Sequence, residues 1–398
     1  MKDSRKYIRK IAKLPILALY HLNILLTGVD KKSIVFESNL GRNYSGNPRS
    51  IYEEMVRRGL DKKYRCYFIL EDTGIWIPGA ARKVKRISLA YFKVFAKAGF
   101  WVSDTRMPRY LVKRKGMFYI QTWHGTPLKR LALDMFDVRM EGEDSLEAYK
   151  KEFITNVKTW DYLISQNSYS TGIFRRAFAF DKEILEIGYP RNDILINRNN
   201  PQAIHEIKER LGLPADRKII LYAPTWRDNE HSGHQRYKLN VPVDFAYMEN
   251  QLSPEYFLIV KAHYLVGERL KLDDYQDFIR QFGPESDIAE LYLAADILVT
   301  DYSSVMFDYS LLRRPMIFYT YDLDSYKNNL RGFYFDLTGE APGPLVTTTR
   351  QLVEKIKDPQ PEKYRSKREA FFAKYNHADD GRASEKVVDL IETAYEDF

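Results

Sequence analysis

His124 is a side chain whose type and setting suit it to moving a proton. It lies in QTWHGTPLKRL (121–131), where an apolar run ends at Trp123 and His124, Gly125, Thr126 and Pro127 follow. Thr before Pro reads as a helix start, with Thr126 as N-cap and Pro127 at the first helical position. On that reading His124 sits between a strand end and a helix N-terminus, whose free amides favour an anion such as a phosphoryl group. An imidazole, with an unperturbed pKa of about 6.5, can take a hydroxyl proton at neutral pH. The plainer alternative is a buried histidine bonded to backbone; the strand–His–Gly–Thr–Pro order favours the functional reading.

Other strand ends carry chemistry of the same kind. In DILVTDYSSVMFDYS (296–310) a strand runs into Asp301, Tyr302, Ser303 and Ser304 before a helix; Asp301 and the two serines are expected on the phosphate side of a ligand, where the serines could offer hydroxyls and amides to a pyrophosphate. Ordinary capping explains those serines equally well. In KAHYL (261–265), Lys261 and His263 could balance the charge of a diphosphate. In APTWRDN (223–229), Arg227 could grip a phosphate as a fork, or simply pair with Asp228. In LGRNYSGNPRSIYEEM (40–55), Asn47 and Pro48 mark a helix start after a loop. Tyr44, Ser45 and Asn47 of that loop are expected to touch the acceptor or the transferred group. Arg331 of RGFYFD (331–336) is a further anion-binding candidate. Asp322 and Asp324 make a D-x-D in TYDLDSY, but aspartates after a strand are usually turn residues, and no metal is assigned to them. P-loop, H-E-x-x-H, zinc-spaced Cys/His and G-x-S-x-G patterns are absent from the sequence.

The elements that must position these residues are short apolar runs alternating with helix-length segments. Strands are expected at 33–38, 64–70, 99–104, 117–123, 162–167 and 183–190, then at 218–226, 256–263, 296–304 and 314–320. Most runs are continuous rather than alternating, as in parallel strands covered on both faces. Strands alternating with helices give doubly wound α/β units. The Gly, Pro, Asn and Asp of GYPRND (188–193), with polar NRNNPQ (197–202) after them, place a break between two halves. The expected organisation is a segment 1–32, Rossmann-like domains at 33–200 and 201–375 facing a cleft, and a C-terminal helix within 376–398. Ligands in such sheets lie beyond the carboxyl ends of the strands.

At 398 residues, 44% hydrophobic and 29% charged, the chain suits two globular domains. Its single cysteine, Cys66, excludes a disulfide scaffold and a cysteine-built metal site. Eight basic residues against two acidic ones within 1–32 account for six of the eight net positive charges. A nucleic-acid binder would spread basic surface over a folded domain, so nucleic acid is not expected as a partner. The basic stretch adjoins the run LPILALYHLNILLTGV (14–29), shorter than the ~20 apolar residues of a spanning helix and interrupted by Pro15, His21 and Asn23. An amphipathic anchor on an anionic membrane surface fits; a first helix packed on the core is the alternative.

Taken in order, QTWHGTPLK, GYPRND, YAPTWR, the histidine of KAHYL, LVTDYSSVMFD, RGFYFD and DGRASE resemble the CDP-glycerol glycerophosphotransferase family of teichoic acid synthesis, from about Ser33 to Leu390. The resemblance implies a GT-B fold, with an N-terminal acceptor domain and a C-terminal domain for CDP-glycerol. It implies peripheral attachment to the cytoplasmic face of the membrane, where an undecaprenyl-diphosphate-linked disaccharide or glycerol phosphate acceptor lies. It lays the family's catalytic histidines on His124 and His263 and its phosphate-binding serines on Ser303 and Ser304. No cofactor is expected; Mg2+ is left unassigned and a homo-oligomer open. The sequence departs from the family's YSDNP loop at Gly46. The alternatives are a CDP-ribitol transferase, a nucleotide-sugar glycosyltransferase of the same fold, and a non-catalytic membrane-associated binding protein.

Overall fold

The computed structural model describes residues 15–136, 145–225, 243–261, 272–283, 285–323, 332–359 and 362–396. Two parallel sheets organise the chain. The first is seven-stranded, in the order β3-β2-β1-β4-β5-β6-β7. Its strands are β1 (Asp30–Glu37), β2 (Arg65–Leu70), β3 (Arg82–Lys85), β4 (Ala98–Ser103), β5 (Phe118–Gln121), β6 (Tyr162–Ser165) and β7 (Glu183–Glu186). The second is six-stranded, in the order β10-β9-β8-β11-β12-β13. Its strands are β8 (Lys218–Ala223), β9 (Tyr256–Lys261), β10 (Ile279–Phe282), β11 (Ile297–Thr300), β12 (Met316–Tyr319) and β13 (Leu345–Val346).

The continuous apolar runs behave as two-sided burial requires. Along β8, Ile219 and Leu221 enter one apolar cluster while Ile220 and Tyr222 enter the cluster on the opposite face. Side chains of a strand alternate between faces, so a sheet covered by helices on both sides needs apolar residues at every position. The ten expected strands are present, several of them shorter than their apolar runs. Three strands carry too little signal to be read from sequence. β3 (RKVK) buries only Val84, β10 (IRQF) fully buries only Ile279, and β13 is two residues long. All three lie at or beside sheet edges, where one face or one side needs no apolar cover.

The C-terminal helix Ala383–Glu396 returns to the first half. Its Val387, Val388, Ile391 and Ala394 join the same apolar cluster as Ile34, Phe68 and Trp101. Asp193, just after GYPRN, accepts the Ala383 and Ser384 amides at 3.0 and 2.8 Å and caps that helix. Residues 15–26 form a helix that packs Tyr20 against Phe92, with ring centroids 5.6 Å apart. Among the described residues no helix is long and apolar enough to cross a membrane.

Candidate active site

The carboxyl ends of both sheets open on one cavity of about 320 Å³. Asn39, Asp104 and His124, just beyond β1, β4 and β5, line it from the first half; Lys261, Ser303 and Ser304, at the ends of β9 and β11, line it from the second.

His124 is held by its neighbours in sequence and in space. The Gln121 amide donates to the Thr105 carbonyl at 3.0 Å and its oxygen accepts the Trp123 N–H at 2.9 Å. This brace turns the chain sharply, and Trp123 takes a left-handed φ of 53°. The His124 ring stacks on Trp123, centroids 4.5 Å apart. Its Nδ1 lies 2.8 Å from the Asp104 carbonyl oxygen. A carbonyl can only accept, so Nδ1 carries the proton and Nε2 keeps a lone pair, the form a general base needs. The ring's edge is open to the cavity while protein encloses the rest. This loss of hydration pushes its pKa below 6.5, Arg191 pushes it further down, and the bond to Asp104 partly opposes both.

No helix follows His124. Residues 124–128 run as irregular chain to a bridge between Lys129 and Phe333, so the expected helix N-terminus at Thr126 is absent. The Thr126 hydroxyl instead donates to Gln166 Oε1 at 2.6 Å and accepts from Asn167 Nδ2 at 3.2 Å, fully buried. Tertiary hydrogen bonds outcompete the local capping signal. Gly125 does face the opposite half: at φ 155°, a Cβ there would sit 3.1 Å from Ser304 Oγ.

Lys261, at the end of β9, donates to the carbonyls of Gly283 and Ser286, the latter at 2.9 Å. Burial pushes its ammonium down to about 8, against the pull of Glu285 and Asp287. Ser303 Oγ accepts the Val305 N–H at 3.4 Å, and the Ser304 side chain caps no amide of the short helix Val305–Tyr309. Both serines border the cavity.

Other expected site residues lie elsewhere. Asp301 is 2% exposed, and its Oδ1 accepts both the amide, at 2.9 Å, and the hydroxyl of Thr225. It ties the β8 and β11 ends together instead of facing a phosphate. Tyr44 donates to Glu53 at 3.1 Å and packs edge-on against Phe68, away from the cavity. Asn47 is 1% exposed: its Nδ2 donates to the carbonyls of Thr122 and Trp123, and its Oδ1 accepts the Arg191 N–H at 3.1 Å. It is therefore a latch behind the cavity wall. Ser45 does line the cavity. His263, Arg227 and Arg331 lie outside the described residues, as does Asp324; Asp322 accepts the Tyr302 hydroxyl at 3.0 Å.

Arg191 and Asp308 were not expected. GYPRND reads as a linker because of its turn residues, yet its arginine reaches the cavity and pairs with Asp308 of the other half at 2.6 Å. The available signal is a single arginine set within a turn-rich motif. Asp104 likewise lines the cavity, and burial pushes its carboxyl up to about 7.

Comparison with known proteins agrees with this architecture. The chain is 45% identical over 378 residues to the teichoic acid poly(glycerol phosphate) polymerase of Staphylococcus epidermidis, covering 94% of this chain and 52% of that protein. It thus spans about half the length of that relative. The polymerase of the same name from Bacillus spizizenii is 43% identical, with 91% of this chain and 92% of that protein covered. A solved structure of the wall teichoic acid polymerase TagF superposes with a TM-score of 0.91 at 42% identity, covering 100% of this chain and 98% of the other. The family described as CDP-Glycerol:Poly(glycerophosphate) glycerophosphotransferase matches residues 18–393, and the chain belongs to that family.

Proposed function

We propose that this protein transfers glycerol phosphate from CDP-glycerol to the terminal hydroxyl of a lipid-linked teichoic acid acceptor, releasing CMP. The observation that carries the reading is the His124 ring, protonated on Nδ1 by its bond to Asp104 and presenting a free Nε2 to a cavity bordered by Lys261, Ser303 and Ser304. The acceptor oxygen attacks the glycerol-bearing phosphorus as Nε2 takes its proton. The bond from that phosphorus to the CMP oxygen breaks, and CMP leaves with the electron pair. Positioning and electrostatics supply most of the rate of such a transfer. Lys261 and the serines are suited to the diphosphate, with His263, Arg227 and Arg331 as further donor contacts by resemblance. The two facing sheets suit a GT-B division, with acceptor on the first half and donor on the second. The shared name of the two relatives, poly(glycerol phosphate) polymerase, supports repeated addition.

Attachment to a membrane surface fits the first described helix. Leu19, Leu22, Leu25 and Leu26 are about half to four-fifths exposed on its outer side. Exposed leucines grouped beside a basic segment suit the interface of an anionic leaflet. The decisive experiment incubates the protein with CDP-glycerol, and separately CDP-ribitol, on a defined lipid acceptor. CMP release and a product heavier by glycerol phosphate units are expected. Transfer from CDP-ribitol alone, or release of a nucleoside diphosphate from a nucleotide sugar, would replace the reading.

A further inference from the structure

Arg191 joins three things that are far apart in sequence. Its Nη2 pairs with Asp308 Oδ2 of the second half at 2.6 Å, and its Nη1 donates to the His124 carbonyl at 2.8 Å. Its own amide is held by Asn47, the residue that also holds the carbonyls of Thr122 and Trp123. Asn192 donates to the other oxygen of Asp308 at 3.1 Å. Asp308 is 2% exposed, so both of its oxygens are used by the first half. Arg191 Nε is buried and makes no hydrogen bond, so the guanidinium is held by its two outer nitrogens alone.

We propose that Arg191 is a positioning residue of the reaction, which carries the closed arrangement of the two halves, sensed through Asp308, to the backbone and the basicity of His124. The inference rests on the reading of His124 as the base. A single fork holds the histidine's own carbonyl with one hand and the opposite half with the other. If the halves part, the bridge to Asp308 breaks and the constraint on His124 loosens with it. The charged groups bordering the cavity around His124 are Asp104 and Arg191 on the first half and Lys261, Asp287 and Asp308 on the second. Of these, Arg191 is the cation that holds the His124 pKa down. Lysine could keep the charge but cannot bond to both partners in the fixed geometry of a guanidinium.

The test compares the full chain with Arg191→Lys, Arg191→Ala and Asp308→Asn, reading kcat, the KM for CDP-glycerol and the acid limb of kcat/KM. Arg191→Lys should lower kcat by about tenfold or more, with KM changed by less than about threefold. Arg191→Ala should also move the acid limb to higher pH, because the cation that disfavours the imidazolium is gone. NMR titration of the His124 ring in the same proteins reads that shift without any turnover. A shift there in a protein that releases no CMP would sink the transferase reading while keeping the coupling. An unmoved titration in a folded Arg191→Ala protein, or a normal kcat in Arg191→Lys, overturns the inference. Thermal unfolding identifies a variant that has merely failed to fold, and Asp308→Asn, which keeps the cation, then decides: a normal kcat there also overturns it.

Discussion

The Asn47 amide nitrogen lies 3.0 Å from the Trp123 carbonyl oxygen, tying a helix start near residue 47 to the strained residue before the catalytic candidate. Its carboxamide serves three backbone groups at once. Asn47→Ala should take that partner from the Thr122 carbonyl and the Arg191 amide, leave the Trp123 carbonyl with the Thr122 hydroxyl alone, and lower stability by about 2–4 kcal/mol. Turnover should fall as well, since Trp123 carries His124. Denaturant unfolding and CMP release measure the two effects; a fully active, equally stable variant would refute the latch.

Replacing His124 by Ala should lower turnover by about 10²–10⁴, with the fold intact by circular dichroism. The ring's removal uncovers one face of Trp123 and takes the donor from the Asp104 carbonyl, so some stability is lost while the fold is retained. Near-normal turnover would eliminate it as the base.

The pH dependence has two limbs with opposite causes. His124 must be neutral to act, and its pKa lies below 6.5, so kcat/KM should fall only as pH drops below that value. Lys261 must be charged to attract a diphosphate, and burial has pushed it down to about 8. The KM for CDP-glycerol should therefore rise as pH climbs through about 8, and Lys261→Arg should abolish that alkaline limb. An alkaline limb that persists in Lys261→Arg would assign it to another group.

Gly125→Ala places a Cβ 3.1 Å from Ser304 Oγ at a backbone φ of 155°, which L-residues rarely adopt. It should cost more in turnover than in stability, because the crowding falls between the two halves at the cavity. A variant with wild-type kcat would show that Ser304 can move aside freely.

Leu25→Glu with Leu26→Glu should weaken sedimentation with anionic vesicles without changing CMP release from a soluble acceptor. These side chains are 81% and 74% exposed, so the fold loses nothing. Equal sedimentation of the variant would remove this helix from the membrane reading.

The alternation of apolar runs and helices is enough to place ten of the thirteen strands among the described residues, because buried parallel strands must be apolar on both faces. His124, Lys261, Ser303 and Ser304 were legible as strand-end residues for the same topological reason. Thr126 and Asp301 misled because their local patterns, Thr-Pro and a strand-terminal acid, are satisfied by partners distant in sequence: Gln166 and Asn167 for one, Thr225 for the other. Arg191 was hidden by its company, since Gly188 and Pro190 announce a turn and say nothing of an arginine reaching a partner more than a hundred residues away.

The return of the last helix to the first half has a consequence for how this chain can be divided. Arg58 pairs with Asp389 at 2.5 Å and Lys63 with Glu392 at 3.0 Å, over the buried Val387 and Ile391. The polypeptide therefore crosses between halves twice, and the pair is pinned like a door on two hinges rather than trailing on one cord. Cutting the gene near residue 200 would not yield two self-sufficient pieces. The upstream piece would lack part of its own core, and a stop codon just before Ala383 would damage the half encoded first.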